Sequence, residues 1–233
     1  IAGTNITRVE ADIVDQALIL NGIDNYVNIG NPVNTLSTYA ITGWSKADSL
    51  TGDQTLVGEQ RDSYDGWRYN LALEDDTLTF TVNNGKGATP TAAADGEVVI
   101  NLTSGDVKAR DGWNQFAIVR DGDTFTLYLN GEAVDSETNA GIDQSATDHA
   151  MWLGAYINNA GGEPTACFAG LMDEVKIYNA VRTAEQIKTE YDELKPEESV
   201  VVPVDKTELE AAIAAAKALS EDDYTAETWA ALE

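Results

Sequence analysis

Residues 59–68, Glu59-Gln60-Arg61-Asp62-Ser63-Tyr64-Asp65-Gly66-Trp67-Arg68, place aromatic rings, guanidinium groups, an amide and carboxylates within one short stretch. Flat rings stack on the C–H patches of sugars, and the polar groups pair with sugar hydroxyls. Tyr156 and Asn158-Asn159, ahead of Gly161-Gly162, repeat that composition. Both segments follow apolar runs, and binding loops sit where such runs end on a rigid scaffold. Arg61, Tyr64, Trp67, Tyr156 and Asn158 are therefore the candidate ligand contacts. A competing reading places Trp67 in the core, where Trp44, Trp113 and Trp152 are expected.

A different chemistry is suggested at Asp173. From Leu171 the residues alternate, so Leu171, Asp173, Val175 and Ile177 are expected on one face of a strand, and Met172, Glu174, Lys176 and Tyr178 on the other. A carboxylate in register with Val175 and Ile177 has to be paired, hydrogen-bonded or bound to a cation. The expectation is a metal or hydrogen-bond site that ties this late strand to the start of the chain.

Catalytic patterns are missing. A retaining glycosidase needs two carboxyl groups about 5–5.5 Å apart, which alternate positions of one strand can supply. Glu74-Asp75-Asp76 falls on a turn, Glu190 and Asp192 fall on a helix, and the adjacent Asp173 and Glu174 are expected on opposite faces. His149 is the only histidine, too little for a histidine metal site or triad. Cys167, the only cysteine, reads as a small buried apolar group and allows no intrachain disulfide. The chain is expected not to be an enzyme.

The elements that would position these residues are mostly strands. Alternating runs are separated by turn signals at Asn21-Gly22, Asp75-Asp76, Asp121-Gly122 and Asn130-Gly131. That spacing predicts an all-β sandwich. A capping box at Thr183 and Gln186 predicts a helix over Ala184–Leu194. Residues 196–204, with Pro196 and Pro203, read as a linker, and helical spacing returns over residues 205–233. The 14 basic and 40 acidic residues give a net charge of −26, which disfavours nucleic acid and anionic membranes as partners. No run approaches the roughly 20 apolar residues of a membrane span.

Five pieces in this order resemble a known family: Ala17 to Gly30, Tyr39 to Trp44, Gly112 to Gly122, Thr126 to Gly131, and Phe168 to Tyr178 with the helix after it. Over roughly residues 10–195 the chain resembles the laminin-G-like, concanavalin A-like jelly roll of bacterial surface enzymes and adhesins. The resemblance implies an antiparallel two-sheet jelly-roll sandwich with a concave surface. It also implies a structural calcium at Asn21, Asp24 and Asp173. The other reading of those residues is an Asx-turn at Asp24 and backbone amides bonded to Asp173. Asp205 to Ile213 and Tyr224 to Leu232 resemble the start of a FIVAR module, a helical unit of Gram-positive surface proteins. The organisation implied is a jelly roll over residues 1–195, the linker, and a partial helical module over residues 205–233.

These resemblances imply a lectin-like, non-catalytic carbohydrate-binding module of a secreted or wall-attached bacterial glycan-active protein, excised from a larger chain such as a glycoside hydrolase. Its partners would be a glycan or glycoprotein and other modules of the parent chain. The alternatives are a structural spacer and a protein-binding adhesin domain.

Overall fold

Apolar residues at every second position build strands up to Tyr178, and the 3.6-residue period begins only after it. A computed structural model describes residues 2–3 and 7–10 in backbone alone, and residues 13, 15–59, 69–83, 99–106, 108–142, 150–157, 163–196, 211, 213 and 214. The early strands are β1 (Ala2–Gly3), β2 (Thr7–Glu10), β3 (Gln16–Asn21), β4 (Val27–Gly30), β5 (Thr38–Ala47), β6 (Asp53–Glu59), β7 (Tyr69–Glu74) and β8 (Thr77–Asn83). The later ones are β9 (Val99–Thr103), β10 (Asn114–Asp121), β11 (Thr124–Leu129), β12 (Glu132–Thr138), β13 (Met151–Leu153), β14 (Tyr156–Ile157), β15 (Pro164–Thr165) and β16 (Ala169–Tyr178), before the helix α1 (Ala184–Leu194).

Two seven-stranded antiparallel sheets form the jelly-roll sandwich. The first runs β1-β4-β13-β6-β7-β8-β9 and the second β12-β11-β10-β5-β16-β3-β2, with β14 and β15 as a separate hairpin. Their inner faces meet in one apolar core that includes Leu20, Ile41, Leu56, Leu71, Phe80, Phe116, Phe125, Phe168 and Met172. Phe80 of the first sheet stacks on Phe125 of the second at 5.8 Å between ring centroids. Along one side, β9 is an edge strand whose backbone amides are bound by acids of β12. Asn101 N donates to Glu137 at 3.4 Å, and Thr103 N donates to Asp135 at 3.0 Å. An exposed edge is thereby denied to a further strand.

The turn at Asn130-Gly131 has positive φ at both residues, 52° and 82°, as a tight hairpin between right-twisted strands requires. Asn21-Gly22 behaves differently, because β3 and β4 belong to different sheets. The Asn21 carboxamide oxygen accepts from the amides of Ile23, Asp24 and Asn25 at 3.0, 3.1 and 3.1 Å. It shapes a crossing between sheets where the sequence suggested a hairpin.

The strict alternation expected along β16 is also corrected. Asp173 is opposite Trp44 and Lys176 opposite Thr42, so β16 carries one extra residue between them. A bulge of this kind reverses which side chains face inward. Before it, Met172 belongs to the inter-sheet core and Leu171 packs with Trp44 and Trp113 on the outer side. After it, Val175 and Ile177 pack against the core. Asp173 is thus in register with Trp44, ahead of the bulge that turns Val175 and Ile177 toward the core. Glu174 takes φ 49° and donates its N–H to Asp173 Oδ1 at 2.8 Å.

The outer face of the second sheet is closed by α1. Thr183 caps the helix by accepting from Gln186 N at 3.2 Å, and the Gln186 side chain accepts from Thr183 N at 3.0 Å. Ile187 is fully buried against Ala40, Ala117, Val119 and Tyr128. Tyr191 stacks on Trp44 at 5.6 Å and 10°, over a second patch with Ala17 and Trp113. Lys176 on β16 bonds Glu174 at 2.6 Å and the buried Glu190 of α1 at 2.7 Å. Burial opposes the charge on Lys176, but its hydrogen bonds to the two carboxylates and their charges outweigh that and raise its pKa.

The chain divides into two compact units, residues 1–196 and 197–233. In the second, Ala211, Ile213 and Ala214 are helical. The rest of the FIVAR-like segment and the linker at residues 197–204 lie outside the described residues.

Candidate functional site

With one outer face under α1, the outer face of the first sheet becomes the place to look for a ligand. Met151 and Leu153 point into the core, so Trp152 between them points outward. The ladder then aligns a row across six strands. Asn28 is opposite Trp152, Trp152 opposite Gly58, Gly58 opposite Asn70, Asn70 opposite Thr81, and Thr81 opposite Asn101. Five inter-strand steps make the row about 24 Å long.

Gly58 is the position that organises this row. A Cβ placed there would come within 2.8 Å of Tyr156 Cβ, 2.9 Å of Ala155 O and 2.9 Å of Thr55 Cγ2. Tyr156 therefore rides directly over β6 on the outer face. The chain reaches that position by turning at Gly154, whose φ is 81° and whose amide donates to Leu56 O at 3.0 Å. It returns through Ala166, which accepts from Thr55 N at 2.7 Å, before entering β16. The β14–β15 hairpin is thus a ridge that splits the row. On one side lie Trp152 and Tyr26, packed edge to face at 5.0 Å and 83°. On the other lie Asn70, Thr81 and Asn101.

The amides on this face are oriented by the protein. Asn28 Oδ1 accepts from Gly30 N at 2.8 Å, Asn70 Oδ1 from Thr55 Oγ1 at 3.1 Å, and Asn101 Oδ1 from Thr81 Oγ1 at 3.0 Å. A carboxamide whose oxygen is engaged presents its NH₂ group as the remaining hydrogen-bonding part.

Of the residues the sequence singled out as ligand contacts, Tyr156 is on this face. Arg61, Tyr64, Trp67 and Asn158 lie outside the described residues. Trp44 and Trp113 are buried as expected, but Trp152 is only half-buried and belongs to the outer row. The signal was available in Met151-Trp152-Leu153, where alternation alone puts the tryptophan opposite its apolar neighbours. Asn28, Asn70 and Asn101 carried no signal, since a lone asparagine in a strand gives no hint of its register.

The residues proposed for calcium do not come to one point. Asn21 Nδ2 donates to Asp24 Oδ1 at 2.8 Å. Ala169 is opposite Asn21, so Asp173 lies four positions on, about 13 Å along the strand. A calcium ion gathers its oxygens at about 2.3–2.6 Å, so these three residues do not fit a shared ion. Among the described residues no group of three or more His, Cys, Asp or Glu side chains is placed to hold a metal.

The sequence profile of the concanavalin A-like lectin/glucanases superfamily, in its laminin G form, matches residues 21–188. The chain belongs to this superfamily. Solved structures resemble it in fold at low identity. Domain 4 of AbnA, a GH43 extracellular arabinanase from Geobacillus stearothermophilus in complex with arabinotriose, is 19% identical with a TM-score of 0.59, over 81% of this chain and 82% of that one. The CBM40 of the Ruminococcus gnavus IT-sialidase, bound to α2,3 sialyllactose, is 14% identical with a TM-score of 0.58, over 74% and 95%. The binding domain of Paraclostridial Mosquitocidal Protein 1 is 16% identical with a TM-score of 0.57, over 83% of this chain and 47% of that one. A search of curated protein sequences returns no match.

Proposed function

We propose that this superfamily member is a non-catalytic carbohydrate-binding module of a secreted or wall-attached bacterial protein, and that the glycan docks on the outer face of the first sheet around Tyr156. One observation carries the reading. The helix covers one outer face, while the other holds a raised tyrosine beside a register-aligned row of amides and hydroxyls. Aromatic faces and fixed amide groups are the means by which a rigid sheet recognises sugars. The likeness to domains whose structures hold arabinotriose and sialyllactose supports it at the level of fold. Arg61, Tyr64, Trp67 and Asn158 stay in the proposal as loop contacts, since their segments start immediately after Glu59 of β6 and Ile157 of β14, both adjoining this face. Such a module holds a neighbouring domain at a glycan by raising its effective concentration.

The test is a glycan array of plant, microbial and host oligosaccharides, followed by titration of the best ligand against Tyr156→Ala. The expected result is a loss of about tenfold or more in affinity, the equivalent of about 1.4 kcal/mol, with an unchanged melting temperature. No binding across the array would reduce the module to a spacer between domains.

A further inference from the structure

The hydrogen-bonding character of the row beyond the Tyr156 ridge limits what kind of glycan it takes. Asn70 and Asn101 face one way across two ladder steps, about 9.6 Å apart, with Thr81 between them. Each has its oxygen engaged, Asn70 by the Thr55 hydroxyl and Asn101 by the Thr81 hydroxyl. Thr81 has committed its proton to Asn101, so both amides present donors. These donors have no counterion role. Among the described residues, β7, β8 and β9 carry no lysine or arginine, and the one cation bound to them is Lys108, which donates to Thr77 Oγ1 at 2.6 Å and is paired with Asp76 at 3.3 Å. The other charged side chains around the strip are acidic. Glu74 accepts from Thr79 Oγ1 at 3.2 Å, and Asp135 and Glu137 bind the β9 edge next to Asn101 and Thr103. A chain of net charge −26 adds to the same field. The strip therefore offers fixed donors in a negative surrounding, which suits hydroxyl and ether oxygens and penalises carboxylates.

We propose that the strip over β7, β8 and β9 binds an uncharged linear oligosaccharide lying across the strands, with the NH₂ groups of Asn70 and Asn101 donating to oxygens of different sugar rings and Tyr156 forming the wall at one end. This rests on the carbohydrate-binding reading above and names its substrate class. Straightness follows from the ladder, since Asn70, Thr81 and Asn101 are directly opposite one another in successive strands. Anionic glycans such as sialosides and uronates are disfavoured by the acids Glu74, Asp135 and Glu137 around the strip.

The experiment compares uncharged β- and α-linked oligosaccharides, from disaccharide to hexasaccharide, with sialyl- and uronate-containing ones, by titration calorimetry against the wild-type chain and the variants Asn70→Asp and Asn101→Asp. Each aspartate keeps an oxygen to accept from Thr55 or Thr81 and replaces the NH₂ donor with a carboxylate. Binding of uncharged oligosaccharides that tightens with length until the strip is filled, and falls tenfold or more in each Asp variant at unchanged melting temperature, is the expected result. Wild-type affinity in both variants would overturn the donor assignment and leave the carbohydrate-binding reading standing. So would binding confined to anionic glycans. No binding of any glycan would end both. A variant that loses melting temperature is replaced by Asn101→Ser at the exposed edge strand, where the same fall in affinity is expected.

Discussion

The two outer faces of the sandwich carry tryptophans in opposite roles. On the second sheet, Trp44 and Trp113 lie under α1, with Tyr191 stacked on Trp44. On the first sheet, Trp152 is half-buried with Tyr26 against it edge to face and the Tyr156 ridge beside it. Composition does not separate these faces, since each pairs a strand tryptophan with a tyrosine. The difference lies in what the chain places on top. A helix with an apolar stripe closes one face into a second core, whereas among the described residues a short hairpin raised over a glycine leaves the other open beside a row of oriented amides. Aromatic residues on a sheet thus become core or surface according to the element that the chain lays over them.

The largest break in this comparison is Trp44→Ala. Removing a fully buried indole from beneath α1 should cost about 3–5 kcal/mol, read as a shifted denaturant midpoint. Ligand affinity measured below that midpoint should stay within twofold, because the closed face takes no part in recognition. A large affinity loss in a folded Trp44→Ala protein would mean that the two faces are not independent.

Much of this frame was legible in the sequence, and its gaps have identifiable physical causes. The capping box fixed α1 at Ala184–Leu194, because the Thr183 and Gln186 signal is local and complete. The turn signals at Asp75-Asp76, Asp121-Gly122 and Asn130-Gly131 likewise mark the turns between β7 and β8, β10 and β11, and β11 and β12. Two errors came from reading local rules where tertiary pairing overrode them. Asn21-Gly22 has hairpin chemistry, but the strands on either side pair with partners far away in sequence. The β16 alternation fails because one extra residue is inserted at Asp173–Lys176, and no residue type announces a bulge of that kind. In the candidate site, Tyr156 was legible as an aromatic ahead of a Gly-rich loop. The amide row was not, because its members are scattered from Asn28 to Asn101 and only the ladder aligns them.

A sharper test of the open face is Gly58→Ala. The added methyl would meet the Tyr156 Cβ at 2.8 Å and the Ala155 backbone oxygen at 2.9 Å. The contact includes backbone, so the β14–β15 hairpin has to lift. Overpacking of this sort costs about 1–3 kcal/mol. Unlike Trp44→Ala, this variant should lose glycan affinity by tenfold or more while retaining its fold, since the wall at Tyr156 moves. The same stability loss with intact binding would take Tyr156 out of the site. Differential scanning calorimetry and glycan titration on one preparation give both readings.

The smallest effect concerns what holds the lid on the closed face. Lys176→Met breaks the bridge between β16 and α1, leaving neither oxygen of the buried Glu190 with a protein partner among the described residues. The Lys176 side chain is 37% exposed, so solvent screens the pair and the expected cost is about 1 kcal/mol. Its pH dependence is distinctive. The folded pKa of Lys176 is raised above the ordinary lysine value of about 10.4, so the folded state holds that proton more tightly than the unfolded chain does. The stabilisation is therefore complete below about pH 10.4 and fades as the pH climbs through the raised value. Urea unfolding of wild-type and Lys176→Met proteins at pH 7, 9 and 11 should show a constant gap at the lower two and a smaller one at the highest. A gap that already closes between pH 7 and 9 would mean that the bridge does not hold α1 down, and that the apolar contacts of Ile187 and Tyr191 keep this face closed by themselves.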